Sequence, residues 1–295
     1  MTNVQATVGR VGLLAPVAGK ERLEVLDLLR GFALFGILLV NMSYFKAPGG
    51  PAGIGNDAGP AGWFTIFGLL FLVESKFFTL FSFLFGLGFA VQLSRGATQP
   101  AAFNQRFLRR LAILALFGIA HILLLWEGDI LLLYALVGGL LFLFRRASER
   151  TLLRWIWWLW LIPTLLFSLG FGGLQLARQL PTTGPQLTQA DLDFTEFFMS
   201  ERTSSEARYQ AISYGESIRL RLRNYATTIP LLISRIPTVL AMFLLGFYVG
   251  KQQILVQIGD QLSLLRRVRW WGLTVGLSGS LLITLGFALL PPIST

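Results

Sequence analysis

Residues Trp63–Leu93 read WFTIFGLLFLVESKFFTLFSFLFGLGFAVQL, and how this stretch divides decides the fold. The part after Glu74 is long enough to cross a membrane as a helix, which takes about 18–20 apolar residues. The part before it, Trp63–Val73, is apolar but too short to span alone. It is either a re-entrant or interfacial piece leading into the next helix, or a separate short span. A separate span would invert everything downstream of it.

The rest of the chain supplies the means to choose. Of its 295 residues, 54% are hydrophobic and 14% charged, where a soluble domain carries about 25% charged residues. The mean hydropathy is +0.64. The apolar segments are continuous rather than alternating, which favours helices over a barrel. The expected fold is therefore all-α, a polytopic integral membrane protein in the lipid bilayer. Spanning helices are expected at about 23–45, 75–93, 107–126, 128–144, 152–175, 228–250 and 270–290.

Basic residues fall in four groups between these segments. Arg10, Lys20, Arg22 and Arg30 come first, then Arg95, Arg106, Arg109 and Arg110. Arg145, Arg146, Arg150 and Arg154 follow, and Lys251, Arg266, Arg267 and Arg269 close the series. With about seven spans all four groups lie on one side, which the positive-inside rule makes cytoplasmic, together with the N-terminus. A span at Trp63 would scatter them, so the shorter reading of Trp63–Val73 is preferred. The net charge of +10 is thus a matter of topology, and no nucleic-acid partner is expected.

Residues 1–20 lack the compact basic-then-apolar pattern of a signal peptide and are expected to form a mobile tail. Residues 21–175 read as an N-terminal membrane domain of five helices, 176–227 as an extracytoplasmic amphipathic segment, and 228–295 as a partial C-terminal membrane domain of two helices. From Ala177 to Thr227 there are six arginines and six acids, a balanced composition suited to lying along a membrane surface. There is no cysteine, which excludes disulfides and thiolate chemistry. One histidine without cysteines leaves no metal-ligand spacing, and no metal is expected.

Three stretches combine polar groups with apolar surroundings. In AHILLLWEGDILLLYALVGGL (Ala120–Leu140) the single histidine, His121, is followed by Trp126, Glu127 and Asp129. The two acids are expected near the outer interface, where Trp126 fits an aromatic belt. His121 is either a helix-packing residue or a general base, imidazole having the one side-chain pKa naturally near neutrality. Asp129 is rotated about a quarter turn from it, and reaching it is expected to require the hairpin to open. In LDLLRGFALFGILLVNMSYF (Leu26–Phe45), Asp27, Arg30, Leu34, Ile37 and Asn41 share a helical stripe. Asp27 and Arg30 can pair at i,i+3, and Arg30 beside Gly31 offers a site for an anion such as phosphate. The alternative is a snorkelling arginine. In VESKFFTLFSFLFGLGFAVQL (Val73–Leu93), Glu74 and Lys76 open the helix at its outer end, and Ser82, Gly86 and Gly88 allow close helix approach.

The three stretches together resemble the YeiB family of bacterial inner-membrane proteins. The residues that carry the resemblance are LDLLRGFALFGILLVNM, ESKFFTLFSFLFGLGFA and RRLAILALFGIAHILLLWEGDILLLYAL, with FLLGFYVGK (Phe243–Lys251) a weaker continuation into the C-terminal domain of unknown function. That family is similar to a wider superfamily of transmembrane acyltransferases, which includes the lysosomal heparan-α-glucosaminide N-acetyltransferase. The link is the first-helix pattern Asp27-x-x-Arg30-Gly31. The resemblance implies transfer of an acyl group from cytoplasmic acyl-CoA, the donor substrate, to an acceptor such as a glycan at the opposite face. Asp27, Arg30 and Asn41 are then expected on the donor side. Glu74, Lys76, Ser82 and Trp126 would hold the acceptor, and His121, Glu127 and Asp129 would act on it.

Two departures stand out. The segment Ser43–Trp63 has no histidine where the heparan enzyme has its proposed catalytic one. Family members also usually run further, whereas this chain stops after FALLPPIST (Phe287–Thr295), which implies a shortened form or a fragment. The rival readings are a small-solute or lipid transporter and a non-catalytic membrane scaffold, either of them compatible with a homo-oligomer.

Overall fold

The computed structural model describes residues 24–46, 59–190, 193, 213–253 and 262–289. Among them the chain is helical and contains no strand. The helices are α1 (Glu24–Lys46), α2 (Gly59–Gly68) continued by a π-helical turn (Leu69–Val73), α3 (Lys76–Arg95) and α4 (Pro100–Leu124). There follow α5 (Leu131–Leu143) with a 3-10 turn (Phe144–Arg146), α6 (Glu149–Arg178), α7 (Tyr214–Lys251) and α8 (Leu262–Leu289). Residues 184–190 are also helical.

Five of these segments are long and apolar enough to cross a membrane: Leu26–Tyr44, Phe64–Arg95, Pro100–Leu124, Glu149–Arg178 and Tyr214–Lys251. Phe64–Arg95 joins the short apolar piece to α3 across a break at Glu74-Ser75, where Ser75 adopts φ +64°. The short piece and α3 are thus consecutive parts of one apolar segment, Phe64–Arg95. The break leaves backbone carbonyls of the π turn without helical partners. Lys76 Nζ donates to Leu70 O at 3.0 Å, and Ser280 Oγ of α8 donates to Phe71 O at 2.8 Å.

The helix expected at 128–144 begins later and is shorter. At 1.5 Å per residue, the 13 residues of α5 reach only about 20 Å, well under a hydrocarbon core of about 30 Å. α5 is accordingly not among the helices long enough to cross a membrane on their own. The expected helix at 228–250 is in turn the second half of a longer one. α7 starts at Tyr214 behind a capping box in which the Ser213 and Glu216 side chains each accept from the other's backbone N–H. Residues 214–227, expected to belong to the extracytoplasmic segment, run into α7 without a break. The earlier part of that segment, Thr195 onward, lies outside the described residues up to 212, as do the tail 1–20 and most of the loop Lys46–Gly62.

The core forms where α3 and α7 pack, with α1 on one side of α3 and α4, α5 and α6 gathered around α7. Two glycines set the spacing. A Cβ on Gly86 would collide with the backbone of Phe243, and one on Gly246 would collide with the backbone of Phe83. With Ser82, Ala90 and Gly250 they form small-x-x-x-small rows on both helices, the pattern that lets helix backbones approach in a membrane. Around this seam lie Phe85 and Phe243, stacked with centroids 4.4 Å apart, and the buried Tyr134.

α1 runs antiparallel to α3, with Gly36 against Phe77 and Arg30 against Gly88. Lys251 Nζ at the end of α7 donates to Ala147 O in the α5–α6 turn at 3.0 Å. Arg30, Arg95, Arg145 and Lys251 therefore belong to one end of the bundle, hereafter the basic end.

Candidate functional site

At the other end, α4 terminates in a widened turn. The carbonyl of His121 accepts from both Leu125 N and Trp126 N, each at 2.9 Å. The chain then doubles back and begins α5 at Leu131. Asp129 caps this helix, its Oδ1 accepting from Leu132 N at 2.8 Å. The doubled-back loop fits against α4 because residue 118 is glycine. A Cβ there would lie 2.5 Å from Leu132 N and 3.0 Å from Asp129 Oδ1.

This geometry brings His121 and Asp129 together. Nδ1 of the ring lies 3.2 Å from Asp129 Oδ2, though the ring is turned so that the contact falls outside hydrogen-bond geometry. Asp129 is only 3% exposed. The contact corrects the expectation that the hairpin must open: the wide turn after His121 supplies the missing rotation. Burial pushes the Asp129 carboxyl above its usual 3.8, against the opposing pull of the Leu132 and Leu131 N–H groups and of His121.

The first turns of α7 hold this loop. Arg221 is 6% exposed and donates from Nη1 to Leu125 O at 3.1 Å and from Nη2 to Ser217 Oγ at 3.1 Å. Asn224 Nδ2 donates to Glu127 Oε1 at 3.3 Å, and Tyr214 OH donates to Leu124 O at 2.8 Å. Tyr225 lies within electrostatic reach of Asp129. None of these α7 residues was singled out from sequence. The available signal was the run Ser217, Arg221, Asn224 at i, i+4, i+7 on one helical face. Trp126 folds over Gly128 and meets the His121 ring edge-on, with centroids 6.4 Å apart.

The expected acceptor residues divide differently. Glu74 and Lys76 share no hydrogen bond or ion pair with His121 or Asp129 among the described residues. Lys76 Nζ caps the π turn and donates to Ser280 Oγ at 2.7 Å, a structural duty. Glu74 Oε2 is buried without a hydrogen-bond partner, with Arg235 and Lys76 as the nearby charges. Ser82 is buried in the core, 2.6 Å from Tyr134 OH and bonded to Phe78 O.

At the basic end, Arg30 Nη1 pairs with Asp27 Oδ1 at 3.1 Å. The stripe expected to face the bundle is displaced, because Leu34 is 53% exposed while Leu26, Ala33 and Ser43 are buried. Arg30 sits at the border of the buried face. Its guanidinium lies over Gly88 of α3, where a Cβ would come within 2.7 Å of Nη2. Asn41 is half-buried and three turns away, so it does not join Asp27 and Arg30. No group of three or more potential metal ligands occurs among the described residues.

The chain is 41% identical to the uncharacterized protein YxaH of Bacillus subtilis over 163 residues, which is 53% of this chain and 40% of that protein. It is 42% identical to the uncharacterized protein YeiB of Escherichia coli over 40% of this chain and 30% of that one. An uncharacterized 39.9 kDa protein from the amylase 3′ region of Bacillus acidopullulyticus is 39% identical over 45% of the chain and 37% of its own length. The chain is thus similar to these YeiB-like proteins over 40–53% of its length, and the matched stretch spans well under half of each relative. No family model and no solved structure matches it.

Proposed function

We propose that this chain is the YeiB-like portion of a bacterial inner-membrane acyltransferase, moving an acyl group from cytoplasmic acyl-CoA to an acceptor such as a glycan on the opposite face. The observation that carries the reading is the His121–Asp129 pair, a partly exposed imidazole against a buried carboxyl fixed by a helix N-terminus. In the proposed step the free ring nitrogen of His121 takes the proton of an acceptor hydroxyl or amine. The acceptor atom attacks the thioester carbonyl, the carbon–sulfur bond breaks, and the departing thiolate receives the proton back from His121. Asp129 stabilises the imidazolium formed in between. Glu127 and Trp126 lie beside this path, on the acceptor side.

Spacing within α4 supports the pairing of two ends. Arg110 and His121 are 11 positions apart, about 16 Å along a helix. A pantetheine arm is about five residues long in amide-chain terms and reaches roughly the same distance when extended. Asp27 and Arg30 would then anchor the donor while its thioester lies near His121.

The proposal includes about seven spans with the N-terminus inside, supported by the collection of basic residues at one end. Because the chain has no cysteine, single introduced cysteines report topology cleanly. An impermeant maleimide on intact cells is expected to label Leu180→Cys and not Ser148→Cys, and the reverse pattern would invert the orientation. For activity, purified protein is given acetyl-CoA with amino-sugar acceptors, and release of free thiol is followed. Turnover that disappears in His121→Ala and Asp129→Asn supports the reading, and its absence in a folded wild-type protein sinks it. A transporter is the second reading, favoured by the broken α2–α3 helix with Glu74 buried at the break, a feature of substrate pathways in transporters. Counterflow in proteoliposomes without acyl-CoA consumption would establish it instead.

A further inference from the structure

The basic end holds a cavity of about 160 Å³ lined by Arg30 of α1, Phe81, Leu84 and Phe85 of α3, and Arg110 of α4. Its charge balance is uneven. Arg30 shares Asp27, but Arg110 has no carboxylate or carbonyl partner among the described residues, and its guanidinium rests 5.5 Å above the Phe85 ring. The two cations repel one another. Both arginines reach the surface at this cavity, and two guanidinium groups beside a single carboxylate leave excess positive charge that attracts an anion. Gly88 adds to the design, since a side chain there would displace the Arg30 guanidinium. Beneath the arginines the lining is aromatic and aliphatic. Leu34 and Ile113, on the two flanking helices, are exposed.

We propose that Arg30 and Arg110 together form a binding site for the phosphate group of an amphiphile, with the head between the guanidinium groups and the apolar part over Phe81, Leu84 and Phe85. Phosphate suits the planar, forked donors of two arginines, and a bare inorganic anion would leave the apolar floor uncovered. The site adds Arg110, and a ligand class, to the donor side. It stands apart from acyl transfer, because it requires no chemistry at His121. Two sources share this chemistry: coenzyme A, which arrives from water, and a phospholipid headgroup, which arrives from the bilayer.

The test titrates the purified full-length chain in detergent, in separate arms, with coenzyme A and with dihexanoyl phosphatidic acid, using calorimetry at low and high salt. The expected result is saturable binding of one probe, weakened at least tenfold by Arg110→Gln and by Arg30→Gln and less by Arg110→Lys, with affinity falling as salt rises. The readout is binding and not turnover, so the result stands even if the acyl-transfer reading fails. Binding of coenzyme A alone assigns a soluble donor, and binding of phosphatidic acid alone assigns a lipid. Arg110 lies on an exposed part of α4, so its variants are expected to fold, and circular dichroism verifies this. No binding of either probe by folded wild type, or binding that both glutamine variants keep, overturns the proposal.

Discussion

The two ends of the bundle handle charge in opposite ways. At the His121 end, a neighbouring helix meets each polar group: Asp129 faces His121, Asn224 donates to Glu127, and Arg221 reaches the Leu125 carbonyl. At the basic end, Arg30 pairs with Asp27 while Arg110, across the cavity, has no carboxylate partner among the described residues. The first is held by contacts within the protein, save for the facing His121 Nδ1 and Asp129 Oδ2 atoms, which have no hydrogen-bond partner. The second leaves two cations beside a single carboxylate. The contrast is between a loop pinned by its neighbours and a cavity with excess positive charge.

The sharpest way to break the comparison is to separate the helices that connect the ends. Gly86→Val places a branched side chain against the Phe243 backbone and is expected to cost about 3 kcal/mol or more, read as a collapse of the thermal midpoint in detergent. Loss of both sites together would follow, whereas a normal midpoint would show that α3 and α7 are not held by this seam. Next in size, Arg221→Met keeps the apolar stem but strands the Leu125 carbonyl, at about 1–3 kcal/mol. It should loosen the His121 loop without touching the basic end, which limited proteolysis between Leu124 and Leu131 would detect.

A third experiment sharpens the chemical contrast through pH. Burial raises the Asp129 carboxyl above its usual 3.8, so this group's contribution to stability is fully present below that value. It is lost as pH rises through the higher folded value. Wild type should therefore lose stability relative to Asp129→Asn as pH climbs from about 4 toward neutrality, while Arg30→Gln follows the wild-type slope. Parallel curves for wild type and Asp129→Asn would remove Asp129 from the account. The smallest effect is expected from Ser280→Ala, which removes the donor to Phe71 O and the acceptor for Lys76 Nζ. A loss of about 1 kcal/mol confined to the α2–α3 break would confirm that Lys76 is structural there.

Much of this was legible in sequence because it depends on local periodicity. Continuous apolar runs gave α1, α3 and α4, and the grouping of arginines gave the basic end. Ser82 and Gly86 announced a close helix contact, although nothing in their spacing named Gly246 as the partner 160 positions away (86 to 246). The partners of His121 were harder to find. Asp129 looked misplaced on a regular helix, and it is the double acceptance at the His121 carbonyl that turns the loop inward. Arg221 was hidden by the charge balance of its segment, since a buried arginine and a solvated one look alike in composition. Arg110 was one of a row of arginines between apolar segments until the fold set it across a cavity from Arg30.

The glycine contact between α3 and α7 also has a consequence for biogenesis. During synthesis α3 emerges into the bilayer long before α7 exists, and contacts this distant in sequence form slowly. Throughout that interval the face around Gly86 lacks the helix that packs on it, and the core is completed only when α7 arrives. A translational pause before Tyr214 would lengthen the period in which this protein is open to capture by membrane quality control.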